Sequence, residues 1–203
     1  MKKLLKVIGL AVFIVAMFLG AELLRDKEQL RERIVRLHVV ADSDSEEDQS
    51  VKLEVKDAVV AYLQEKLEGL TDIEQVKTYL STHLEALQEV AQETLERLGI
   101  KERVSVSFEE EAFPIRYYDT FKLPSGIYQS LRIRIGQAQG KNWWCVVFPT
   151  LCVPQSEEEF DDVAAGSGFS DTLSNTLSNE GGYEVRFFLL DLLGWLENNI
   201  FGG

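Results

Sequence analysis

The order of apolar and polar positions divides the chain into segments with different periods. Val35, Leu37 and Val39 occupy every second position of residues 34–40, so their side chains share one face. This alternation predicts a strand. Residues 51–67 and 73–98 instead place apolar side chains at helical spacing, and a glycine follows each stretch. Both predicted helices carry charged residues on their other side, so each is expected to lie on the surface of a core.

The period changes to two after residue 99. Alternating runs at 104–108 and 127–135, and a nearly continuous apolar run at 143–148, predict three more strands. Strands that are separated by two consecutive helices are typical of the α+β class. The sequence therefore predicts a mostly antiparallel sheet covered on one face by two long helices.

The first 21 residues have the layout of a secretory address. Lys2, Lys3 and Lys6 precede residues 7–21, which carry no charge. A basic front before a short apolar run is typical of a signal peptide, and the run is marginal in length for a membrane-spanning helix. We expect residues 1–21 to be a cleaved signal peptide or an uncleaved signal anchor, with a buried helix as the alternative. Either kind of signal places the rest of the chain outside the cytoplasm.

The rest of the chain divides into three parts. Residues 22–153 contain the predicted strands and helices and form the α+β domain. Residues 154–182 are rich in Ser, Gly and acidic residues, which predicts a mobile loop. Residues 183–203 predict a C-terminal amphipathic helix that packs on the domain, and a second membrane segment is the alternative.

Charge restricts the classes of partner. The 203 residues include 34 acidic and 21 basic side chains, for a formal net charge of -13. This excess repels the phosphate backbone, so we expect no nucleic-acid partner. It also disfavours an anionic membrane surface, and we expect the membrane to be contacted only through the N-terminal segment, if that segment is not cleaved.

The inventory of reactive residues argues against an enzyme. The chain has two histidines, His38 and His83, without a zinc-protease motif, and it has no serine-hydrolase or aspartic-protease signature. Asp42, Asp44 and Asp48 could hold calcium, but a helix cap beginning at Ser43 also explains them. We expect no metal, no cofactor and no catalytic residue.

The densest signal lies at residues 142–152. Because adjacent side chains of a strand point to opposite faces, Trp143 and Trp144 cannot both enter the core. One of them is then either covered by the fold or exposed as an anchor for another protein. Cys145 and Cys152 are expected to form a disulfide in an oxidising compartment, and two buried thiols are the alternative.

Several motifs, in order, resemble the stage II sporulation protein R family. They are Arg36-Leu37-His38-Val39-Val40-Ala41-Asp42-Ser43-Asp44, Phe113-Pro114, Leu123-Pro124-Ser125-Gly126-Ile127-Tyr128, Gly140-Lys141-Asn142-Trp143-Trp144-Cys145, Phe148-Pro149 and Leu151-Cys152. The resemblance covers residues 33–153. It departs from the family pattern at Asp42, where asparagine is usual, and at Thr150, where proline is usual.

The resemblance implies a signalling protein of endospore-forming bacteria. Members are made in the forespore and exported into the intermembrane space, where they activate a membrane-embedded aspartic protease of the mother cell that cleaves the sigma-E precursor. We hypothesise that the receptor-binding residues are His38, Asp42, Asp44, Asn142, Trp143 and Trp144. The alternatives are an extracytoplasmic hydrolase using Asp42, Asp44 and residues 109–111, or a module that binds the cell envelope through a tryptophan.

Overall fold

The computed structural model describes residues 2–149, 166, 168–178 and 184–201. The helices are α1 (Lys2–Arg33), α2 (Glu46–Lys66), α3 (Ile73–Thr82), α4 (Leu84–Arg97), α5 (Asp171–Leu177) and α6 (Glu184–Phe201). The strands are β1 (Val35–Val40), β2 (Val104–Phe113), β3 (Arg116–Tyr117), β4 (Lys122–Leu123), β5 (Gly126–Ile135) and β6 (Asn142–Phe148). The predicted α+β class is confirmed.

Four of the strands form the main sheet, in the order β2-β5-β1-β6. β2 and β6 run antiparallel to their neighbours, whereas β1 and β5 are parallel. Strands β3 and β4 form a separate antiparallel pair. β1 therefore lies inside the sheet, and the connection from β5 to β6 must pass across its C-terminal end.

Helices α2, α3 and α4 cover one face of the sheet, as the two helical stripes predicted. This core is built from the odd-numbered positions of β1, the inward faces of the three helices and alternate residues of β5. The second stripe is interrupted at His83, where φ is -119° and ψ is 27°. Hydroxyls of Ser81 and Thr82 bond back to the carbonyl of Thr78, which is how such residues compete with helical hydrogen bonding.

The start of α2 differs from the expected cap. Ser45, not Ser43, is the N-cap, and its hydroxyl accepts the N–H of Asp48 at 3.1 Å. Ser43 instead donates to the carboxylate of Asp48 and accepts the N–H of Ser45. The cap lies two residues later because Ser43 belongs to the turn that precedes the helix.

The second face of the sheet is also covered. A separate apolar cluster joins the end of α1, the β3–β4 region, α5 and α6 to this face, through Leu30, Ile34, Phe113, Phe121, Leu123, Tyr128, Val146, Phe169, Leu173, Leu177 and Leu190. Much of the loop predicted at 154–182 lies outside the described residues, but α5 falls within it. The second layer adds to the predicted architecture, and it buries both faces of β1.

Helix α1 continues from the apolar segment into the domain without interruption. Every described side chain from residue 3 to 19 is exposed, whereas Leu30 is buried against the sheet. The stretch Lys6–Arg33 is the one helix of the described residues that is long and apolar enough to cross a membrane. This arrangement is compatible with a signal or an anchor and hence with export.

Helix α6 packs on the turn between β4 and β5. The carboxylate of Asp191 accepts the backbone N–H of Ser125 at 2.8 Å and its hydroxyl at 2.6 Å. A Cβ at Gly194 would overlap the carbonyl oxygen of Ser125, so only glycine allows this close approach. The C-terminal helix thus packs on the Leu123-Pro124-Ser125-Gly126 turn.

Candidate functional site

All six predicted receptor-binding residues lie near the C-terminal end of β1, but they do not share one face of the sheet. His38 pairs with Trp144 in the register between β1 and β6, and Val40 pairs with Asn142. Asp42 and Asp44 follow β1 directly in the loop that leads to α2. Trp143 lies on the opposite face of the sheet, toward α2.

Asp42 and Asp44 stabilise the β5–β6 connection. A carboxylate oxygen of Asp42 accepts the backbone N–H of Gln137 at 2.5 Å, and Asp44 accepts that of Lys141 at 2.7 Å. A Cβ at Gly140 would overlap the carbonyl of Ser43, so the two loops lie in close contact. Satisfying N–H groups of a turn is a structural role for both aspartates.

Asp48, the third aspartate of this segment, is engaged by the same loop. The hydroxyls of Ser43 and Ser45 donate to its carboxylate, and they hold the pKa of Asp48 below its usual value. Among the described residues, no group of three or more His, Cys, Asp or Glu side chains is arranged to hold a metal ion. The cluster therefore has a structural explanation in the turn and the helix cap.

His38 is buried, with 2% of its surface exposed, and both ring nitrogens have partners. Nδ1 lies 2.7 Å from Oε1 of Glu111, and Nε2 lies 2.8 Å from Oδ1 of Asn142. Both contacts are to side-chain oxygen atoms, one from a carboxylate and one from an amide. The histidine thus links β1 to β2 and to β6 by polar side-chain contacts across the sheet.

Glu111 is the centre of a charged network beside this histidine. It accepts a hydrogen bond from Ser130 at 3.0 Å and lies 3.4 Å from Nη1 of Arg132. Burial raises the pKa of Glu111, but the hydrogen bond from His38, the charges of His38 and Arg132 and the hydroxyl of Ser130 outweigh burial, so the pKa is lowered. The carboxylate is held ionised, which suits an ion pair rather than a general acid.

Trp144 covers the histidine ring. The two rings are stacked with their centroids 3.8 Å apart, and the edge of Phe113 meets the indole at 4.8 Å. The guanidinium of Arg116 lies 5.2 Å from the indole centroid. Trp144 is half-buried and joined to the second core, so it is mainly a packing residue.

Trp143 has a different environment. It is 37% exposed, and Nζ of Lys56 on α2 lies 5.0 Å from its ring centroid. Nearby, Lys52 donates to the carbonyl of Lys141 at 3.1 Å, and burial lowers the pKa of Lys52. Of the two tryptophans, Trp143 is the one with the exposed surface that an aromatic anchor needs.

Arg36 is a candidate that the sequence analysis did not single out. It has no exposed surface, and Nη2 donates to the hydroxyl of Tyr118 at 2.7 Å. Its guanidinium carbon lies 4.3 Å from the ring centroid of Phe113 and 5.2 Å from that of Tyr128. Among the described residues, Nε and Nη1 have no hydrogen-bond partner. The fully buried cation is held mainly by aromatic faces.

The motifs that seemed separate in the sequence meet around β1. Phe113 and Tyr128, from the second and third motifs, enclose Arg36, whereas Asn142 and Trp144, from the fourth, contact His38. The clue in the sequence was the pair of charged or polar residues at alternate positions of an otherwise apolar strand. These six motif residues thus build one framework on the second face of the sheet.

Cys145 is buried, with 5% of its surface exposed, on β6. Its predicted partner Cys152 lies outside the described residues. The Cys145–Cys152 disulfide therefore stays a prediction.

The acids proposed for a hydrolase all have structural partners. Glu109 pairs with Arg134 at 2.8 Å, Glu110 with Arg31 at 2.8 Å, and Glu111 with His38. Asp42 and Asp44 accept backbone N–H groups, as described above. This arrangement favours a rigid, preorganised surface over a pair of carboxylates acting on a substrate.

Comparison with known proteins identifies similar sequences. The family model described as stage II sporulation protein R matches residues 31–158. The chain is 31% identical to stage II sporulation protein R of Bacillus subtilis (strain 168) over 179 residues, which cover 79% of this chain and 80% of the relative. No solved structure matches the chain.

Proposed function

The chain belongs to the stage II sporulation protein R family, and we propose that it is an exported signal that activates a membrane-embedded aspartic protease across the septum between forespore and mother cell. The proposed substrate of that protease is the sigma-E precursor. The observation that carries the proposal is the extent of the match, since residues 31–158 include the whole sheet and all the residues around His38 and Arg36. A role in sporulation follows from family membership.

The N-terminal helix supports the export step. Its basic front and exposed apolar side chains have the properties of a signal or anchor, and every described side chain from residue 3 to 19 is exposed. Export would place the sheet domain in the intermembrane space, where a protease of the facing membrane is accessible.

The engagement of the acidic residues supports binding rather than catalysis. A signalling protein needs a surface of fixed shape, and the bonds from Asp42 and Asp44 fix the β5–β6 connection against the end of β1. Asn142 and Trp143 are exposed directly after this connection. We place the receptor contact at the exposed edge formed by residues 141–143, which we call the Trp143 edge.

Co-expression in a host that does not sporulate tests this function. The full chain, the protease and the sigma-E precursor are produced together, precursor cleavage is followed on gels, and the protease is purified from detergent to ask whether the chain comes with it. We expect cleavage only when all three are present, and we expect the chain and the protease to co-purify.

Two variants make the test specific to the Trp143 edge. Trp143→Ala removes the exposed indole, and such anchors typically contribute about 2–4 kcal/mol to binding. Leu98→Ala is the matched control, because Leu98 is 40% exposed at the end of α4. Cleavage lost with Trp143→Ala and kept with Leu98→Ala supports the proposal. Cleavage that does not depend on the chain contradicts the proposed function.

A further inference from the structure

Helix α6 has an unusual distribution of polarity. Its outward face is apolar, with exposed side chains at Val185, Phe188, Leu189, Leu192, Trp195, Leu196 and Ile200. These positions follow helical spacing along about four turns, and they form one apolar stripe that Asn199 interrupts near its end. An exposed apolar stripe of this length is typical of a binding surface.

Four polar side chains of α6 (Arg186, Asp191, Glu197 and Asn198) face the protein, whereas Glu184 and Asn199 are exposed. Arg186 donates to Asp26 on α1 at 2.8 Å, and Asp191 accepts from Ser125. Farther along, Asn198 donates to the carbonyl of Phe113 at 2.8 Å. A helix that faces water has the reverse arrangement. The stripe therefore faces a medium or a partner that is apolar.

The direction of α6 relative to α1 follows from two ion pairs. Arg186 pairs with Asp26, and Glu197 pairs with Lys27 at 3.0 Å. Positions 186 and 197 are about 16 Å apart along α6, whereas neighbouring residues of α1 differ in height by only about 1.5 Å. The ion pairs of α6 thus all fall between Glu22 and Lys27 of α1, a rise of about 8 Å, so α6 runs across α1 and not along it.

This stretch lies just beyond the apolar segment of α1. The uncharged run ends at residue 21, and Arg186 also reaches Glu22 at 3.4 Å. If α1 is inserted along the bilayer normal, a helix that crosses it here lies close to the membrane plane, near the height of the lipid headgroups. Amphipathic helices bury their apolar face about 5–10 Å into this region.

We propose that α6 is an interfacial membrane helix, whose apolar stripe lies in the bilayer that holds α1. The binding is driven by apolar burial, since Arg186 is the one cation of α6 and is already paired with Asp26. It therefore needs no anionic lipid. The membrane contact extends beyond the N-terminal segment to which the sequence analysis limited it, and it does not depend on the proposed protease.

Tryptophan quenching by brominated lipid tests the proposal. The full chain is reconstituted into phosphatidylcholine vesicles with bromine at the upper acyl positions, and its fluorescence is compared with that in unbrominated vesicles. We expect quenching of wild type, and a loss of the quenched component in Trp195→Phe. Trp143→Phe should keep the quenched component, because Trp143 lies on the face of the sheet that α2 covers. High salt should leave the quenching unchanged.

A charge substitution supplies the second measurement. Leu192→Glu places a carboxylate in the middle of the stripe and should reduce the quenching of Trp195 severalfold. Leu53→Glu is the matched control, because Leu53 is 39% exposed on α2, and it should have no effect. Equal quenching of wild type and Trp195→Phe overturns the proposal. The proposal is also overturned if the chain cross-links as a dimer in which Trp195 is not quenched by the brominated lipid, because a second copy would then cover the stripe.

Discussion

His38 and Glu111 are joined by a contact of 2.7 Å between Nδ1 and Oε1, although they lie 73 residues apart on strands that are not neighbours. β5 separates their strands, so the two side chains meet above it on the second face of the sheet. The contact connects β1 with the edge strand β2.

Replacing Glu111 should therefore destabilise the fold in a pH-dependent way. Glu111→Gln removes the charge that His38 and Arg132 face, and hydrogen bonds to charged groups contribute about 1.5–3 kcal/mol. Because the folded-state pKa of Glu111 is lowered, its contribution is complete above the unfolded pKa and is lost as the pH falls through the folded pKa. Urea unfolding from about pH 6 to about pH 3 should show that wild type and variant differ in their free energy of unfolding, and that this difference disappears at the acidic end.

The neighbouring glutamate provides the control for this experiment. Glu110 forms an exposed pair with Arg31, and such pairs contribute at most about 1 kcal/mol. Glu110→Gln should thus change the free energy of unfolding little. If Glu111→Gln differs from wild type by the same free energy of unfolding over the whole pH range, the role assigned to the ionised form of Glu111 is contradicted.

Asp42 should behave as a structural residue. Asp42→Ala leaves the N–H of Gln137 without its acceptor, and we expect a loss of about 1–2 kcal/mol in the free energy of unfolding. Asp42→Asn keeps an oxygen at the same place and should retain most of the stability. Equal stability of all three proteins, measured by denaturant unfolding, would argue for a role of Asp42 outside the fold.

The two adjacent tryptophans should separate stability from signalling. Trp144→Ala removes the ring that covers His38, and truncation of such packed aromatic residues costs about 3–5 kcal/mol. Trp143→Ala should leave the melting temperature nearly unchanged but reduce precursor cleavage. If both variants lose stability in proportion to their loss of cleavage, the Trp143 edge is not the receptor contact.

The cysteines should be oxidised in the exported protein. Mass spectrometry of the unreduced chain should find a mass lower by two hydrogens than the reduced chain, with no reaction of Cys145 or Cys152 with a thiol reagent. A disulfide that closes so short a loop is expected to contribute about 2–3 kcal/mol. Labelling of both cysteines in the unfolded, unreduced protein would leave two buried thiols instead.

Deletion of residues 2–21 should abolish precursor cleavage without unfolding the domain. The described side chains in this part of α1 are nearly all exposed and the buried part of α1 begins later, so the two cores remain intact. The co-expression assay measures the signal, and circular dichroism of the purified variant measures the fold. Normal cleavage by the leaderless chain would exclude a need for export.

The elements that the sequence predicted are those with local signals. The alternation around Leu37 and the helical spacing of Val51, Val55 and Val59 each depend on a few neighbouring residues, and both patterns identified the first core. The opposite orientation of Trp143 and Trp144 follows from the pleat of any strand. Local periodicity thus fixes the first layer of the fold.

The second face depends on residues that are distant in sequence. Arg36 and His38 occupy the alternate positions of β1 that a half-buried strand exposes, and they are buried because α1, α5 and α6 cover them. The periodicity of residues 34–40 does not predict that other elements cover this face. The roles of Asp42 and Asp44 also escaped prediction, since their acceptor function depends on a connection that is about 95 residues further on.

The continuity of α1 sets how far the domain stands from its membrane. A helix rises about 1.5 Å per residue, so the stretch between residue 21 and Arg33 is a rigid post of about 18 Å, and the domain packs along it with no flexible tether. While the post is anchored, the Trp143 edge has a fixed height and orientation, and it cannot search the gap between two membranes as a tethered domain would. Under the proposed function, activation then depends on the spacing of the two membranes. Inserting two residues after residue 21 would change both the reach of the domain, by about 3 Å, and its rotation, by about 200°.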